Sequence, residues 1–147
     1  RVSGGDAFPG GLLAENVATG NTATGILVEQ VPHPFKLKLR DNRAVNNGGS
    51  GISLAGSRNQ LKDNLAVDNQ GDGIRLEGNG QRNTVQGNRA LGNLDGGIWV
   101  TDNSTEGRIQ KNLAIGNAPD LVDDNLGCDG NTWRANDFVT RNPPCIE

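Results

Sequence analysis

The chain has 147 residues, of which 33% are hydrophobic and only 3% aromatic, and its net charge is -3. Glycine (22) and asparagine (19) together make up more than a quarter of the chain. So few aromatic residues make a compact globule hard to fill, whereas regularly recurring Ile, Leu and Val at a small net charge exclude a disordered chain. No apolar run approaches the ~18 residues of a membrane span, and the near-balanced charge argues against nucleic acid as a partner.

A hexamer of the form Asn-x-Ala-aliphatic-x-Asn recurs along the chain. It reads NRAVNN from Asn42, NLAVDN from Asn64, NRALGN from Asn88 and NLAIGN from Asn112. Degenerate copies begin at Asn16 and Asn136, and the successive leading asparagines are 26, 22, 24, 24 and 24 residues apart. A set period of this length predicts a repeat architecture.

Two further apolar segments occur in each period. A Gly-Ile segment follows the hexamer at residues 25–28, 51–54, 73–76 and 97–100, with a shortened form at 120–123. A single large apolar residue lies three positions before each leading asparagine: Leu13, Leu39, Leu61, Val85, Ile109 and Trp133. The alternation within these pieces and the Gly, Asn and Asp turns between them predict three short strands per period and almost no helix.

Three such strands bury little alone, so the periods must stack as coils roughly 4.8 Å apart, with equivalent residues above one another. We call the stack of hexamer strands sheet 1, the stack of Gly-Ile segments sheet 2, and the stack around the preceding apolar residue sheet 3. The predicted fold is an all-β parallel β-helix, a solenoid of about six coils of about 24 residues with three short parallel sheets. Residues 1–147 form a single domain in this prediction.

Two columns of asparagine follow from the stacking. The first consists of Asn16, Asn42, Asn64, Asn88, Asn112 and Asn136, and the second of Asn21, Asn47, Asn69, Asn93 and Asn117. Asn tolerates the left-handed conformation of a sharp bend, and its amide can both donate to and accept from the residues above and below. We therefore expect structural ladders; an exposed polar stripe that binds a ligand is the alternative.

The pattern of NxA-aliphatic-xN followed by GIxL or GIxV resembles the right-handed parallel β-helix family over about residues 12–142. It is most similar to the tandem repeats of pectate-lyase-like proteins and of the periplasmic NosD proteins, accessory proteins of nitrous oxide reductase. This resemblance implies a right-handed helix of coils. It does not fix an activity, since such repeats occur in lyases, hydrolases, epimerases and surface proteins.

The two cysteines bracket the last coil, residues 128–147. A disulfide between Cys128 and Cys145 would close a loop of roughly 18 residues, on the order of 3 kcal/mol in the chain-entropy picture, and would protect a coil with a neighbour on one side only. Two free thiols or a metal pair are the alternatives, although no His lies near. A disulfide favours an oxidising location: secreted, periplasmic or at the cell surface.

The outward positions of sheet 2 bring candidate binding residues together. One column reads Leu27, Ser53, Arg75, Trp99 and Val122, and a second, two residues further along, reads Glu29, Ala55, Glu77, Thr101 and Asp124. An exposed indole beside a charged pair is typical of a sugar platform, because the ring stacks on sugar C–H groups while polar neighbours hold hydroxyls. We predict carbohydrate binding by Trp99, Arg75, Glu77 and Thr101; burial of the indole under loop 102–106 is the alternative.

Acidic residues gather at the turn into sheet 2, where Asp72, Asp95 and Asp120 lie at nearly matching positions. Stacked carboxylates repel one another unless a cation lies between them; we expect simple solvation and no cofactor, with calcium as the alternative. The resemblance implies that a lyase would use such a cation with a basic residue, here Arg75. A glycoside hydrolase would need two carboxyl groups, such as Glu77 with Asp95 or Asp72.

The outward column of sheet 3 is mildly basic. It reads Ala14, Arg40, Lys62, Gln86, Gln110 and Arg134, with Lys38 and Arg108 nearby. We interpret it as a solvated face; contact with an acidic polysaccharide is the alternative. The only histidine, His33, lies between two prolines, and one His without any Met suits copper poorly.

The sequence favours a secreted, non-catalytic β-helix with a carbohydrate-binding or surface role, because its short turns leave no long loops to wall a cleft. The alternative is a polysaccharide lyase or glycoside hydrolase, or a fragment of one, acting on acidic polysaccharide. We expect residues 1–11 to be an N-terminal cap or a truncated coil. A longer solenoid, or rods that associate end to end, would also hide the open strand edges.

Overall fold

In the computed structural model, which describes residues 10–29 and 36–147, the chain forms eighteen short strands and one 3-10 turn at Leu126–Cys128. His33 and most of the expected N-terminal cap lie outside the described residues. Within them, no helix has the length and hydropathy to cross a membrane.

The strands form three sheets of six strands each. Sheet 3 contains β1 (Gly11–Ala14), β4 (Leu37–Arg40), β7 (Gln60–Lys62), β10 (Thr84–Gln86), β13 (Arg108–Gln110) and β16 (Thr132–Arg134). Sheet 1 contains β2 (Val17–Thr19), β5 (Arg43–Val45), β8 (Leu65–Val67), β11 (Arg89–Leu91), β14 (Leu113–Ile115) and β17 (Asp137–Phe138). Sheet 2 contains β3 (Ile26–Val28), β6 (Ile52–Ala55), β9 (Ile74–Glu77), β12 (Ile98–Val100), β15 (Leu121–Asp123) and β18 (Arg141–Asn142).

Every pair of neighbouring strands is parallel, and each strand pairs with the third strand after it in the chain. In sheet 1, for example, Ala66 is the register partner of Ala44 on one side and Ala90 on the other. The predicted parallel β-helix, its three sheets and its number of coils are confirmed.

The core is a set of apolar columns inside the coils. The alanines of sheet 1 at positions 44, 66, 90 and 114 are fully buried, as are Leu39, Leu61, Val85 and Ile109 of sheet 3. Small alanines opposite larger side chains keep the cross-section narrow at this sheet. In the last coil the alanine column ends in Phe138, which packs partly buried against the core.

The glycine that opens each Gly-Ile segment is required by a close approach between coils. A Cβ on Gly73 would lie 2.6 Å from the carbonyl oxygen of Gly97 and 2.7 Å from Nδ2 of Asn93. Any side chain there would collide with the second asparagine column, which explains why glycine recurs at this point of the period.

Both predicted asparagine ladders are present. In the first, Nδ2 of Asn64 donates to Oδ1 of Asn88 at 2.9 Å, and Nδ2 of Asn42 donates to Oδ1 of Asn64 at 2.9 Å. In the second, Nδ2 of Asn69 donates to Oδ1 of Asn93 at 2.8 Å. The same amides also bond backbone groups, so the ladders satisfy the corners between sheets as well as each other.

The prediction that the ladder asparagines adopt the left-handed conformation is wrong. The left-handed φ belongs to the residue just before each first-column asparagine: Glu15, Asp41, Asp63, Gly87, Lys111 and Ala135 have φ between 51° and 68°. The ladder asparagines themselves have no positive φ. The preceding residue turns the corner, and this leaves the asparagine in a conformation that directs its amide inward, where Nδ2 of Asn64 reaches the carbonyl oxygen of Leu39 at 2.9 Å.

A third asparagine series, which the sequence analysis missed, lines the corner between sheets 2 and 3. Oδ1 of Asn83 accepts from the backbone N–H of Asn59 at 2.9 Å, and Oδ1 of Asn131 accepts from that of Gly107 at 2.7 Å. The sequence feature that marks this series is an asparagine two residues before the buried apolar residue of a sheet-3 strand. Gly11, Leu37 and Gly107 occupy that position in the other three coils and hide the pattern.

Candidate functional site

The outward face of sheet 2 has the register that the sequence predicted. Trp99 is the neighbour of Arg75 on one side and of Val122 on the other, and Arg75 also neighbours Ser53. Glu77 lies beside Ala55, two residues further along. Strands β6, β9, β12 and β15 therefore present one continuous patch of side chains, which we call the sheet-2 face.

Arg75 is the centre of this face. Its Nη1 lies 2.8 Å from Oδ2 of Asp72, and its Nε lies 3.3 Å from Oε1 of Glu77. The guanidinium carbon is 5.4 Å from the centroid of the Trp99 ring, within the range of a cation–π contact. Two carboxylates and a ring thus hold the guanidinium in one orientation, and it covers one side of the indole.

Two further hydrogen bonds extend this network across the coils. The indole Nε1 of Trp99 donates to Oδ2 of Asp124 at 2.6 Å, and the hydroxyl of Ser53 donates to Oε1 of Glu77 at 2.8 Å. Because each bond joins residues on adjacent coils, the network ties four coils together on the outside of the solenoid. Its side chains are held in fixed positions.

A shallow, open depression lies over the network, with a volume of about 440 Å³. It is lined by Arg75, Glu77, Gly78, Thr101, Asp102 and Asp124. Three carboxylates against one guanidinium make the lining acidic, and the hydroxyl of Thr101 is held by the carbonyl oxygen of Leu76 at 2.9 Å. The depression therefore offers fixed hydrogen-bond acceptors to a ligand rich in donors.

The structure does not bring the three candidate metal ligands into one cluster. Ile98 pairs with Ile74 and Leu121, so Asp72 aligns with residue 96 and Asp120 with residue 97, while Asp95 is offset and exposed. Among the described residues, no group of three or more His, Cys, Asp or Glu side chains could hold a metal ion.

The two buried aspartates bond to the protein instead. Oδ1 of Asp72 accepts from the backbone N–H of Gly96 at 2.9 Å, and its Oδ2 faces Arg75. Oδ1 of Asp120 accepts from both nitrogens of Asn117, and its Oδ2 accepts from Val139 and Thr140 at 3.0 Å. Asp120 thereby ends the second asparagine ladder.

These environments shift the pKa values of Asp72 and Asp120 in opposite directions. Burial raises the pKa of Asp72 above its ordinary value, and the opposing effects of Arg75 and the Gly96 N–H do not cancel it. Burial also acts to raise the pKa of Asp120, but the hydrogen bonds from Asn117, Thr140 and Val139 together hold that pKa below its ordinary value.

A polar cluster inside the last coil was not predicted as a unit. Asp123 occupies the core position equivalent to Val100 and is only 3% exposed. Its carboxylate accepts from Trp133 Nε1 at 2.9 Å, from Asn131 Nδ2 at 3.1 Å, and from the backbone N–H and Nδ2 of Asn125 at 3.1 and 2.8 Å. The sequence feature that could have revealed the cluster is Asp123 itself, which replaces the last apolar residue in the shortened segment 120–123. We interpret the cluster as structural, since its donors all come from the same end of the chain.

The predicted disulfide is confirmed, because Cys128 is bonded to Cys145. Neighbouring Ile146 is fully buried against the core. The bond therefore fastens the end of the chain over the last coil.

Comparison with known proteins identifies a family. Neither the curated proteins nor the solved structures contain a match to this chain. The profile of one family, described as "Periplasmic copper-binding protein (NosD)", matches residues 9–142. That span includes all three sheets and the sheet-2 face. The chain belongs to the NosD family of right-handed parallel β-helix proteins.

Proposed function

We propose that this protein is a non-catalytic carbohydrate-binding β-helix that works outside the cytoplasm and contacts sugar through the sheet-2 face. The observation that carries the proposal is the open depression lined by Arg75, Thr101 and three carboxylates. The ring of Trp99 is not itself part of this lining, but it lies 5.4 Å from the guanidinium carbon of Arg75 and supports that residue. The periplasmic description of the family agrees with the location predicted from the sequence.

The geometry suits sugar hydroxyls. Carboxylates and a guanidinium form bidentate hydrogen bonds to adjacent hydroxyl groups, and here Ser53, Asp72 and Trp99 already hold them in place. A ligand would therefore spend little free energy on ordering these side chains. Because the lining is acidic, this face favours a neutral sugar over a uronate.

The same contacts argue against catalysis at this face. A lyase needs a base that can reach a substrate proton, whereas the guanidinium of Arg75 already contacts the carboxylates of Asp72 and Glu77. Asp95, one of the candidate carboxyls for hydrolysis, is not part of the depression lining. The depression is open, and the described residues do not form walls on both sides of a bound chain of the kind that enzyme clefts use to position a reacting bond.

Copper, which the family description names, does not fit the donors of this chain. Soft copper sites use thiolate, thioether and imidazole ligands. The chain has no Met, and both of its cysteines are in the disulfide. His33 is its only histidine, so we assign no copper chemistry to the protein.

A glycan array tests the proposal. We expect the wild type to bind neutral glycans and Trp99→Ala to bind them at least about tenfold more weakly, since the indole supplies both a stacking edge and the Asp124 contact. Leu94→Ala removes an exposed apolar side chain elsewhere and should bind normally. Thermal melts establish that both variants fold.

Two results would overturn the proposal: no glycan bound by the wild type, or equal binding by a folded Trp99→Ala protein. Release of unsaturated products from acidic polysaccharides, assayed by ultraviolet absorbance with and without calcium, would instead support the lyase alternative. Release of reducing ends without unsaturation would support a hydrolase.

A further inference from the structure

The outward face of sheet 3 carries cations that the rest of the protein does not neutralise. Strands β13 and β16 place Arg108 beside Thr132 and Gln110 beside Arg134. These four side chains line a depression of about 230 Å³. The two arginines therefore lie on one diagonal of a square, and the hydroxyl and the amide lie on the other.

The diagonal is short enough for one anion to reach both guanidinium groups. Strands about 4.8 Å apart, with two residues of about 3.3 Å rise between the positions, place the two Cα atoms about 8 Å apart. Both side chains are longer than half this distance. A single carboxylate or sulfate between them could accept hydrogen bonds from both guanidinium groups, with Gln110 and Thr132 as further donors.

Neither arginine is satisfied by the protein. In the described part of the chain, Arg108 and Arg134 have no ion pair and no side-chain hydrogen bond, whereas other cations do. Glu106, the acid nearest to Arg108 in sequence, instead pairs with Arg82 at 2.7 Å. Two exposed, uncompensated guanidinium groups on adjacent strands attract an anion.

The basic character continues along the sheet. Lys38 and Arg40 of β4 and Lys62 of β7 also face outward; within the described residues Arg40 and Lys62 have a carboxylate partner, Asp41 and Asp63 respectively, and Lys38 has none. Strand β10, between these cations and the arginine pair, presents the uncharged Thr84 and Gln86. Cations at both ends of the sheet are thus separated by hydrogen-bonding side chains.

We propose that this sheet-3 face binds an anionic polysaccharide, with one carboxylate or sulfate group held between Arg108 and Arg134. The polymer would run along the solenoid axis, so that its uncharged hydroxyls meet the glutamine and threonine side chains. The acidic sheet-2 face repels the same polymer and directs it to sheet 3. The overall charge of -3 conceals this segregation.

The face suits a polysaccharide better than a membrane or a nucleic acid. Among the described strands of sheet 3, none presents an aromatic side chain outward, and one large aliphatic side chain does face outward, Leu12 of β1 beside Lys38, at the far end of the sheet from the arginine pair. A lipid surface would favour apolar side chains that insert between headgroups, and single-stranded nucleic acid would favour aromatic rings that stack on bases.

The test is binding to heparin and to polygalacturonate, measured at several salt concentrations. We expect the wild type to bind at least one of them, and R108Q/R134Q to bind it at least about tenfold more weakly because two charge-assisted contacts are lost. The matched control, R43Q/R89Q, removes two exposed arginines from sheet 1 and should bind within about twofold of the wild type. Trp99→Ala should keep this binding, so failure here is distinguishable from failure of the neutral-sugar proposal.

Absence of binding to both polysaccharides, or an equal loss in both double variants, would overturn the proposal. Equal or tighter binding of the wild type to phosphatidylglycerol vesicles or to single-stranded DNA would also overturn it, in favour of a lipid or a nucleic acid. Because all substituted side chains are exposed arginines, thermal melts should show that each variant folds.

Discussion

Asp72 and Asp120 show that the environment of a residue, more than its place in the repeat, decides what a carboxylate does. Both are buried at the turn into sheet 2. Asp72 has one backbone donor and a partly exposed arginine, while the carboxylate of Asp120 accepts from five donor groups on three residues. The sequence shows the shared position but not these partners, so it left a common metal site as an alternative where the structure has two separate hydrogen-bond acceptors.

The opposite pKa directions predict opposite pH dependence. The pKa of Asp120 is lower in the folded state, so its stabilisation is present above the unfolded pKa of about 3.9 and is lost as pH falls through the folded pKa. The stability advantage of the wild type over Asp120→Asn should therefore be larger at pH 7 than at pH 3. Urea unfolding at both pH values measures it.

Asp72→Asn is the matched control for this measurement. The pKa of Asp72 is higher in the folded state, so its contribution is fully present below the unfolded pKa and is lost as pH rises through the folded pKa. The stability of Asp72→Asn relative to the wild type should thus be greater at pH 7 than at pH 3. An unchanged gap for Asp120→Asn between the two pH values would contradict the assignment.

At the scale of strands, the sheets are built from elements too short to be stable alone. Most strands have three residues, and a single inward side chain per strand of sheet 1 buries little apolar surface. The asparagine ladders supply the missing connections, because each amide bonds the coil beside it and a backbone carbonyl at the corner. Buried side-chain polar atoms in the described residues all have partners.

Asn88→Ala should therefore be strongly destabilising. Asn88 is fully buried, and its side chain bonds the N–H and amide of Asn64, the carbonyl oxygen of Leu61 and the amide of Asn112. Its loss leaves buried polar groups unpaired, which costs about 2–4 kcal/mol. Chemical unfolding measures this difference.

Asn16→Ala provides the comparison for the ladder variant. Asn16 is exposed at the first rung, and within the described residues its side chain bonds only Ala14 and Asn42, so we expect a loss below about 1 kcal/mol. Equal losses for Asn16→Ala and Asn88→Ala would show that the ladder does not depend on burial.

The sequence predicts a structural feature when the residues that form it recur in every repeat, and fails to predict it when those residues vary from coil to coil. The register of sheets 1 and 3 follows from the asparagine spacing, whereas in sheet 2 the last two strand pairs are offset by 23 and 20 residues, as in Ile98 with Leu121 and Leu121 with Arg141. The third asparagine series was missed since glycine or leucine replaces the asparagine in three of the coils, and the left-handed corner residues vary from Glu15 to Ala135 and so leave no pattern. The contacts of Arg75 could not be predicted, because they depend on side-chain rotamers that differ from coil to coil.

At the scale of the whole molecule, the solenoid is a one-dimensional stack in which each coil contacts mainly its neighbours. This separation lets one side be acidic around Glu77, Asp102 and Asp124 while another is basic around Arg108 and Arg134. It also means that stability need not be uniform, since a terminal coil lacks one neighbour. The sequence predicted this weakness through the positions of its two cysteines, and Asp123 adds a polar cluster at the same end.

Removal of the disulfide should accordingly loosen the last coil first. C128S/C145S, or reduction of the wild type, removes a constraint worth about 3 kcal/mol in the chain-entropy picture. Hydrogen exchange followed by mass spectrometry should show faster exchange in β16, β17 and β18, while β8 and β11 keep their protection because neighbours flank them on both sides. Leu126→Ala, a change of an exposed side chain in the same region, should leave exchange in these strands unaltered. Uniformly faster exchange through all coils would show instead that the solenoid unfolds as one cooperative unit and that the bond stabilises the whole of it.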